Sequence, residues 1–128
     1  MDMVYAVIAL ALLQYFIFAM LVGRARVMNK VEAPAVTGNE TFERYYRAHY
    51  NTLEQLIIFL PAILLFANYI SPLWAAILGI IFIVGRTIYF RGYIQEPKKR
   101  AAGFGLSMLP NLVLLLGGLG GAVWAVMT

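Results

Sequence analysis

The sequence predicts an all-α integral membrane protein built as an antiparallel four-helix bundle, and three observations carry that prediction. Hydrophobic residues make up 62% of the 128 and charged ones 12%, with a mean hydropathy of +0.80, outside the balance of a soluble domain. The apolar residues fall in four long runs, each able as a helix to cross roughly 30 Å of hydrocarbon. All ten Lys and Arg residues lie within 24–47 or 86–100, the joins between the first and second runs and between the third and fourth. Both basic joins therefore sit on one face. By the positive-inside rule that face is cytoplasmic and both termini lie opposite, in a bacterial inner membrane or an endoplasmic reticulum.

The first span, 3–25, opens the chain with "MVYAVIALALLQYFIFAMLVG". No Lys or Arg precedes it and no small-residue cleavage site follows before Arg24, which argues for a retained span over a removable signal peptide. A join rich in turn residues, "RARVMNKVEAPAVTGNE", leads to the second span, 42–70, with Pro61 as a kink site. Ser71 and Pro72 start the third span, 72–95, as cap and first helical residue. After "QEPKKRAAG" the fourth span, 103–127, carries "GGLGG", small residues that let helices approach closely. No repeat, low-complexity tract or composition change divides residues 1–128, so one four-span membrane domain is expected.

Composition also removes function classes. Without cysteine there is no disulfide, thiolate metal site or protein thiol nucleophile, so thiol chemistry here must use a ligand's thiol. No cluster of metal-ligand residues stands at a recognisable spacing, so no metal is expected. The net charge of +4 reports orientation rather than a nucleic-acid partner, because no soluble basic face accompanies it.

Polar residues inside a membrane helix are costly and need a partner or a task. Arg44, Arg47, Asn51 and Glu54 recur at helical spacing and form one stripe, with His49 almost opposite. Arg86, Tyr89 and Tyr93 form a second stripe at similar depth in the third span. Facing stripes would make a pocket of guanidinium forks, an amide, a carboxylate and phenols, suited to a small zwitterionic peptide. The alternative is that Glu54 merely neutralises Arg47 or Arg86 and that the tyrosines are interfacial belt residues. Lys98, Lys99 and Arg100 read first as a solvated, orientation-setting charge run. Gly85, Gly92 and the glycines at 117–121 read as packing positions.

With these residues in hand the chain resembles the membrane-associated proteins in eicosanoid and glutathione metabolism (MAPEG), in the branch of microsomal glutathione transferases and leukotriene C synthases. The resemblance runs from about residue 14 to 108 through "QYF", "VGRAR", "PAVTGNETFERYYRAHYNTLE", "GRTIYFRGY" and "KKRAAGFGLS", in order. It implies a homotrimer holding glutathione between adjacent subunits on the cytoplasmic side. It further implies glutathione contacts for Arg26 (from the neighbouring subunit), Arg47, His49, Asn51, Glu54, Arg86, Tyr89 and Tyr93, and places Arg100 where the family activates the thiol. Gln55 departs from the pattern, standing where close relatives carry Tyr or Phe.

The stripes ask for a small anionic or zwitterionic peptide; the resemblance names glutathione and implies a glutathione transferase that uses it as co-substrate. A lipophilic electrophile would enter from membrane lipid, and lipid hydroperoxides would be reduced as a side activity. Two other readings compete. One is a non-catalytic lipid-binding or scaffold protein on the same fold, against which the full polar stripe and Arg100 argue. The other is a four-span exporter, which would need an ionisable residue deep in a span.

Overall fold

The computed structural model describes Met1–Thr128 and contains four long helices, α1 (Asp2–Met28), α2 (Glu40–Tyr69), α3 (Pro72–Gln95) and α4 (Ala101–Met127). All four are long and apolar enough to cross a membrane. Their bounds depart from the expected ones where caps decide. α1 runs on to Met28, where Asn29 closes it by donating from Nδ2 to the Ala25 carbonyl at 2.8 Å. α2 begins two residues early because Asn39 Oδ1 accepts the Phe42 N–H at 2.9 Å, with Glu40 and Glu43 in the electropositive first turn. The helix then continues unbroken through Pro61. Ser71 caps α3 by accepting the Trp74 N–H at 3.3 Å, and Pro72 opens it. At the far end Glu96 precedes Pro97, a position that disfavours helix, and a single 3-10 turn (Pro97–Arg100) reverses the chain into α4.

Contacts fix how the helices lie. Phe59 of α2 stacks on Phe82 of α3 with ring centroids 4.1 Å apart. On either side of that pair Thr52 meets Arg86 and Ile63 meets Gly79, so numbers rise along α2 as they fall along α3. α3 and α4 follow the same rule through Tyr89 against Gly103 and Gly85 against Ser107. α1 is pinned to α3 by Gln14, whose Nε2 donates to the Ile83 carbonyl and to Thr87 Oγ1, each at 2.8 Å.

Lipid tails are as apolar as the side chains, so helix association here rests on close packing and on hydrogen bonds between helices. The α3–α4 seam shows the first: a Cβ on Gly103 would run into the Tyr89 backbone, and one on Gly85 would lie 2.6 Å from the Ser107 nitrogen. Neither neighbour can give way, because each is main chain inside a helix. Gly103→Val is therefore expected to lower the thermal midpoint of the detergent-solubilised protein, with a cost of about 1–3 kcal/mol or more. Gly120→Val, where the added atom meets nothing within 4 Å, is expected to leave the midpoint unchanged. Equal midpoints would remove the seam from the account.

Candidate functional site

The most deeply buried charge is Arg86, with 0% of its surface exposed. Its Nη2 donates to Asn51 Oδ1 at 2.7 Å and to Thr52 Oγ1 at 2.9 Å, and its Nη1 donates to Ser107 Oγ at 3.2 Å. The guanidinium carbon also sits 4.1 Å from the centre of the Tyr89 ring. Thr52 and Ser107 can accept because their hydroxyl hydrogens are directed to their own helices, at the Ala48 and Gly103 carbonyls. One guanidinium fork thus ties α2, α3 and α4 together. No carboxylate touches it. The ion pair within the chain is Arg44 with Glu40, at 2.7 Å, so neither of the expected neutralising pairs of Glu54 forms.

This bond decides which end of Asn51 is free. Its oxygen is taken by Arg86, while its Nδ2 has no partner in the chain and is not an enclosed atom. The amide therefore offers N–H donors to the space it lines. That space is an open cavity of about 590 Å³ bounded by Asn51, Tyr89, Lys98, Arg100, Ala101 and Phe104. Arg100 stands at its mouth, exposed, with Nη1 donating to the Pro97 carbonyl at 2.7 Å and its guanidinium 5.9 Å from the centre of the Tyr93 ring. It also immediately precedes α4, whose unpaired first N–H groups add positive potential at the same spot. Two cations, an amide donor and no acid line the cavity, a setting that favours an anionic guest.

The stripe expected to face α3 as a unit divides instead. Arg44 reaches the end of α3, donating from Nη1 to the Gln95 carbonyl at 2.9 Å, and Asn51 reaches Arg86. Arg47 and Glu54 lie further round the helix, exposed, with no ion-pair partner in the chain. The physical reason is rotational: the close approach of Phe66 to Gly117 and of Leu65 to Gly118 on α4, with the Arg86 fork, sets how α2 is turned, and only one edge of its polar stripe can face α3. His49 turns towards α1, where its ring stacks on Tyr15 with centroids 4.6 Å apart and neither ring nitrogen finds a partner. Arg26 is held by its own join, donating to the Ala35 carbonyl at 2.7 Å and the Val31 carbonyl at 3.4 Å, and lying 4.7 Å over Phe42.

A single chain therefore gathers Asn51, Arg86, Tyr89, Tyr93 and Arg100, and holds Arg26, Arg47, His49 and Glu54 elsewhere. Sequence reasoning missed Thr52 and Ser107, whose hydroxyls brace Arg86; Lys98 is exposed, as a solvated charge run implies, and also lines the cavity. The available signals were the position of Thr52 beside Asn51 and the break at Pro97, which turns the basic run back over the end of α3.

Comparisons with known proteins place the chain in a family. A family model described as the MAPEG family matches residues 3–120. An uncharacterized protein of Synechocystis sp. is 48% identical over 91% of this chain and 85% of its own length. Microsomal glutathione S-transferase 2 of Homo sapiens is 43% identical over 90% of this chain and 79% of its own. Leukotriene C4 synthase of Cavia porcellus is 35% identical over 66% of this chain and 57% of its own.

Proposed function

The chain is an integral membrane protein of the MAPEG family, and from that premise we propose that it conjugates the thiolate of glutathione to lipophilic electrophiles, with glutathione-dependent reduction of lipid hydroperoxides as a side activity. The observation that carries the reading is the cavity beside Arg100, lined by Lys98, Arg100 and the free amide of Asn51 without a single acid. Glutathione brings two carboxylates, peptide carbonyls and a thiol that must ionise, and each finds a complement in that set. Relatives bearing the names of a glutathione transferase and a leukotriene C4 synthase support the same assignment.

In this mechanism Asn51, oriented by Arg86, donates to a peptide carbonyl or carboxylate of glutathione. Tyr89 and Tyr93 form the wall beneath it, and Arg100 faces the sulfur. The remaining residues complete the site through assembly. The bundle is antiparallel, as the contact registers support, and three four-span subunits associate. Arg47 and Glu54, exposed along one edge of α2, then meet a neighbour's Arg26, and Glu54 receives the ammonium of glutathione; His49 borders the same site. Both basic joins lie in the cytoplasm, where glutathione is dissolved, and the termini lie on the opposite side. The electrophile arrives from the bilayer and meets the thiolate without crossing water.

Purified protein in detergent is expected to conjugate glutathione to a generic aryl halide at a rate that saturates with glutathione and scales with enzyme. No enzyme-dependent rate, in protein that elutes as a folded oligomer, would overturn the transferase reading and favour a lipid-binding scaffold.

A further inference from the structure

A separate cavity of about 290 Å³ lies where the end of α1 meets the start of α2, lined by Leu21, Arg24, Met28 and Asn29 on one side and by Thr41 and Tyr45 on the other. It shares no residue with the Arg100 cavity. Three of its side chains are donors without an acceptor. The Arg24 guanidinium, the Thr41 hydroxyl and the Tyr45 phenol have no hydrogen-bond or ion-pair partner in the chain, and none of their polar atoms is enclosed. The neighbouring arginines are committed: Arg26 donates to the Ala35 and Val31 carbonyls, and Arg44 to Glu40 and the Gln95 carbonyl. No acid lines the space, so a cation and two hydroxyls face it uncompensated.

Its depth is set by the sequence. Arg24 is the first charge after the apolar run 3–23, so hydrocarbon gives way to headgroups at this level. From Leu21 to Asn29 the cavity follows α1 for about 12 Å, enough to reach from the last of the acyl chains through the headgroup layer. Leu21 and Tyr45 lie at its inner end, and Asn29 and Thr41 at its outer end. Its direction follows from helical spacing. Arg24 stands about 200° round α1 from Arg26, and Tyr45 about 200° round α2 from Arg47 and about 180° from Glu54. The cavity therefore faces away from the edges assigned to subunit contact above, and stays open to lipid in the assembly.

We propose that this cavity binds the phosphate of an anionic phospholipid. Arg24 pairs with the phosphate, Thr41 and Tyr45 donate to its oxygens, and Leu21 and Met28 pack on the lipid beneath the headgroup. Phosphate oxygens only accept, which matches a set of donors. A zwitterionic lipid would bring an ammonium that finds no acid here, so the site favours a headgroup of net negative charge. The apolar flanks separate a lipid from a free phosphate ion, which has no use for them. One phosphate held by Arg24 on α1 and by Thr41 and Tyr45 on α2 bridges the two helices, so occupancy stabilises the bundle.

The test follows the thermal midpoint of purified protein in a neutral detergent as phosphatidylglycerol, phosphatidylcholine of the same chains, or inorganic phosphate is added. Phosphatidylglycerol is expected to raise the wild-type midpoint at concentrations about tenfold below those phosphatidylcholine requires, and inorganic phosphate to leave it unchanged. Arg24→Gln is expected to lose most of that tenfold preference. Tyr45→Phe keeps the ring that packs on Phe90 and is expected to lose about threefold. Arg91→Gln, which removes an exposed arginine outside the cavity, is expected to keep the preference. A preference unchanged within about twofold in Arg24→Gln, or lost equally in both arginine variants, would overturn the site in favour of diffuse attraction. A midpoint raised as much by inorganic phosphate would overturn the lipid as occupant, and no difference between the two lipids in the wild type would overturn the proposal outright.

Discussion

Arg100→Ala is expected to lower turnover by about ten- to thirtyfold while leaving glutathione affinity within a few-fold. A free thiol has a pKa of about 8.5, so only about 3% is thiolate at pH 7, and the thiolate is the nucleophile. A guanidinium beside the sulfur favours the anion, and lowering that pKa by about two units corresponds to roughly 2.7 kcal/mol. Complete ionisation can raise the rate at most about thirtyfold, less the nucleophilicity lost as the thiol becomes more acidic; positioning supplies the rest. Arg100 is suited to this role because the Pro97 carbonyl holds one terminal nitrogen and the Tyr93 ring lies beneath, leaving its other donors to face the cavity. Arg100→Lys keeps the charge and is expected to lose less. Full turnover in Arg100→Ala would return the residue to the orientation-setting run and move the search for the activator to Tyr93 or Arg86.

The second large effect is expected at Arg86. Arg86→Ala removes bonds to Asn51, Thr52 and Ser107 together and opens a void where three helices meet. The expected loss is about 3 kcal/mol or more, read as a lower thermal midpoint in detergent. Arg86→Met fills the space without charge and separates stability from binding. Thr52 and Ser107 keep their backbone partners, so the bundle is expected to hold, but Asn51 loses the donor that fixes its amide. Glutathione affinity measured by calorimetry is then expected to fall about tenfold. Arg86→Lys is not expected to restore it, since one ammonium cannot reproduce a fork that spans α2 and α4. Unchanged affinity in a folded Arg86→Met protein would mean that the orientation of Asn51 does not matter.

What could be read from the sequence was what local chemistry dictates. Four helices follow from four apolar runs, and the start of α3 at Pro72 follows from a serine cap before a proline. The meeting of Asn51 with Arg86 was legible as two polar stripes at one depth. The outward turn of Arg47 and Glu54 was not, because the rotation of α2 is set by packing at distant seams and leaves no mark on helical spacing. Thr52 and Ser107 were hidden for another reason: a hydroxyl that returns its hydrogen to its own helix looks like any small residue in a span. The 98–100 run concealed Lys98 because charge runs are ordinarily solvated. Only the turn at Pro97, packed so closely that a Cβ on Gly92 would lie 2.6 Å from the Lys99 carbonyl oxygen, bends it over the cavity.

Activation of the glutathione thiol by Arg100 is tested by titrating glutathione into purified protein at neutral pH and following thiolate absorbance at the ultraviolet edge. A saturable thiolate signal with release of a proton is expected in the wild type and is expected to be diminished in Arg100→Ala. Glutathione that binds with its thiol still protonated, or that does not bind at all, would contradict it.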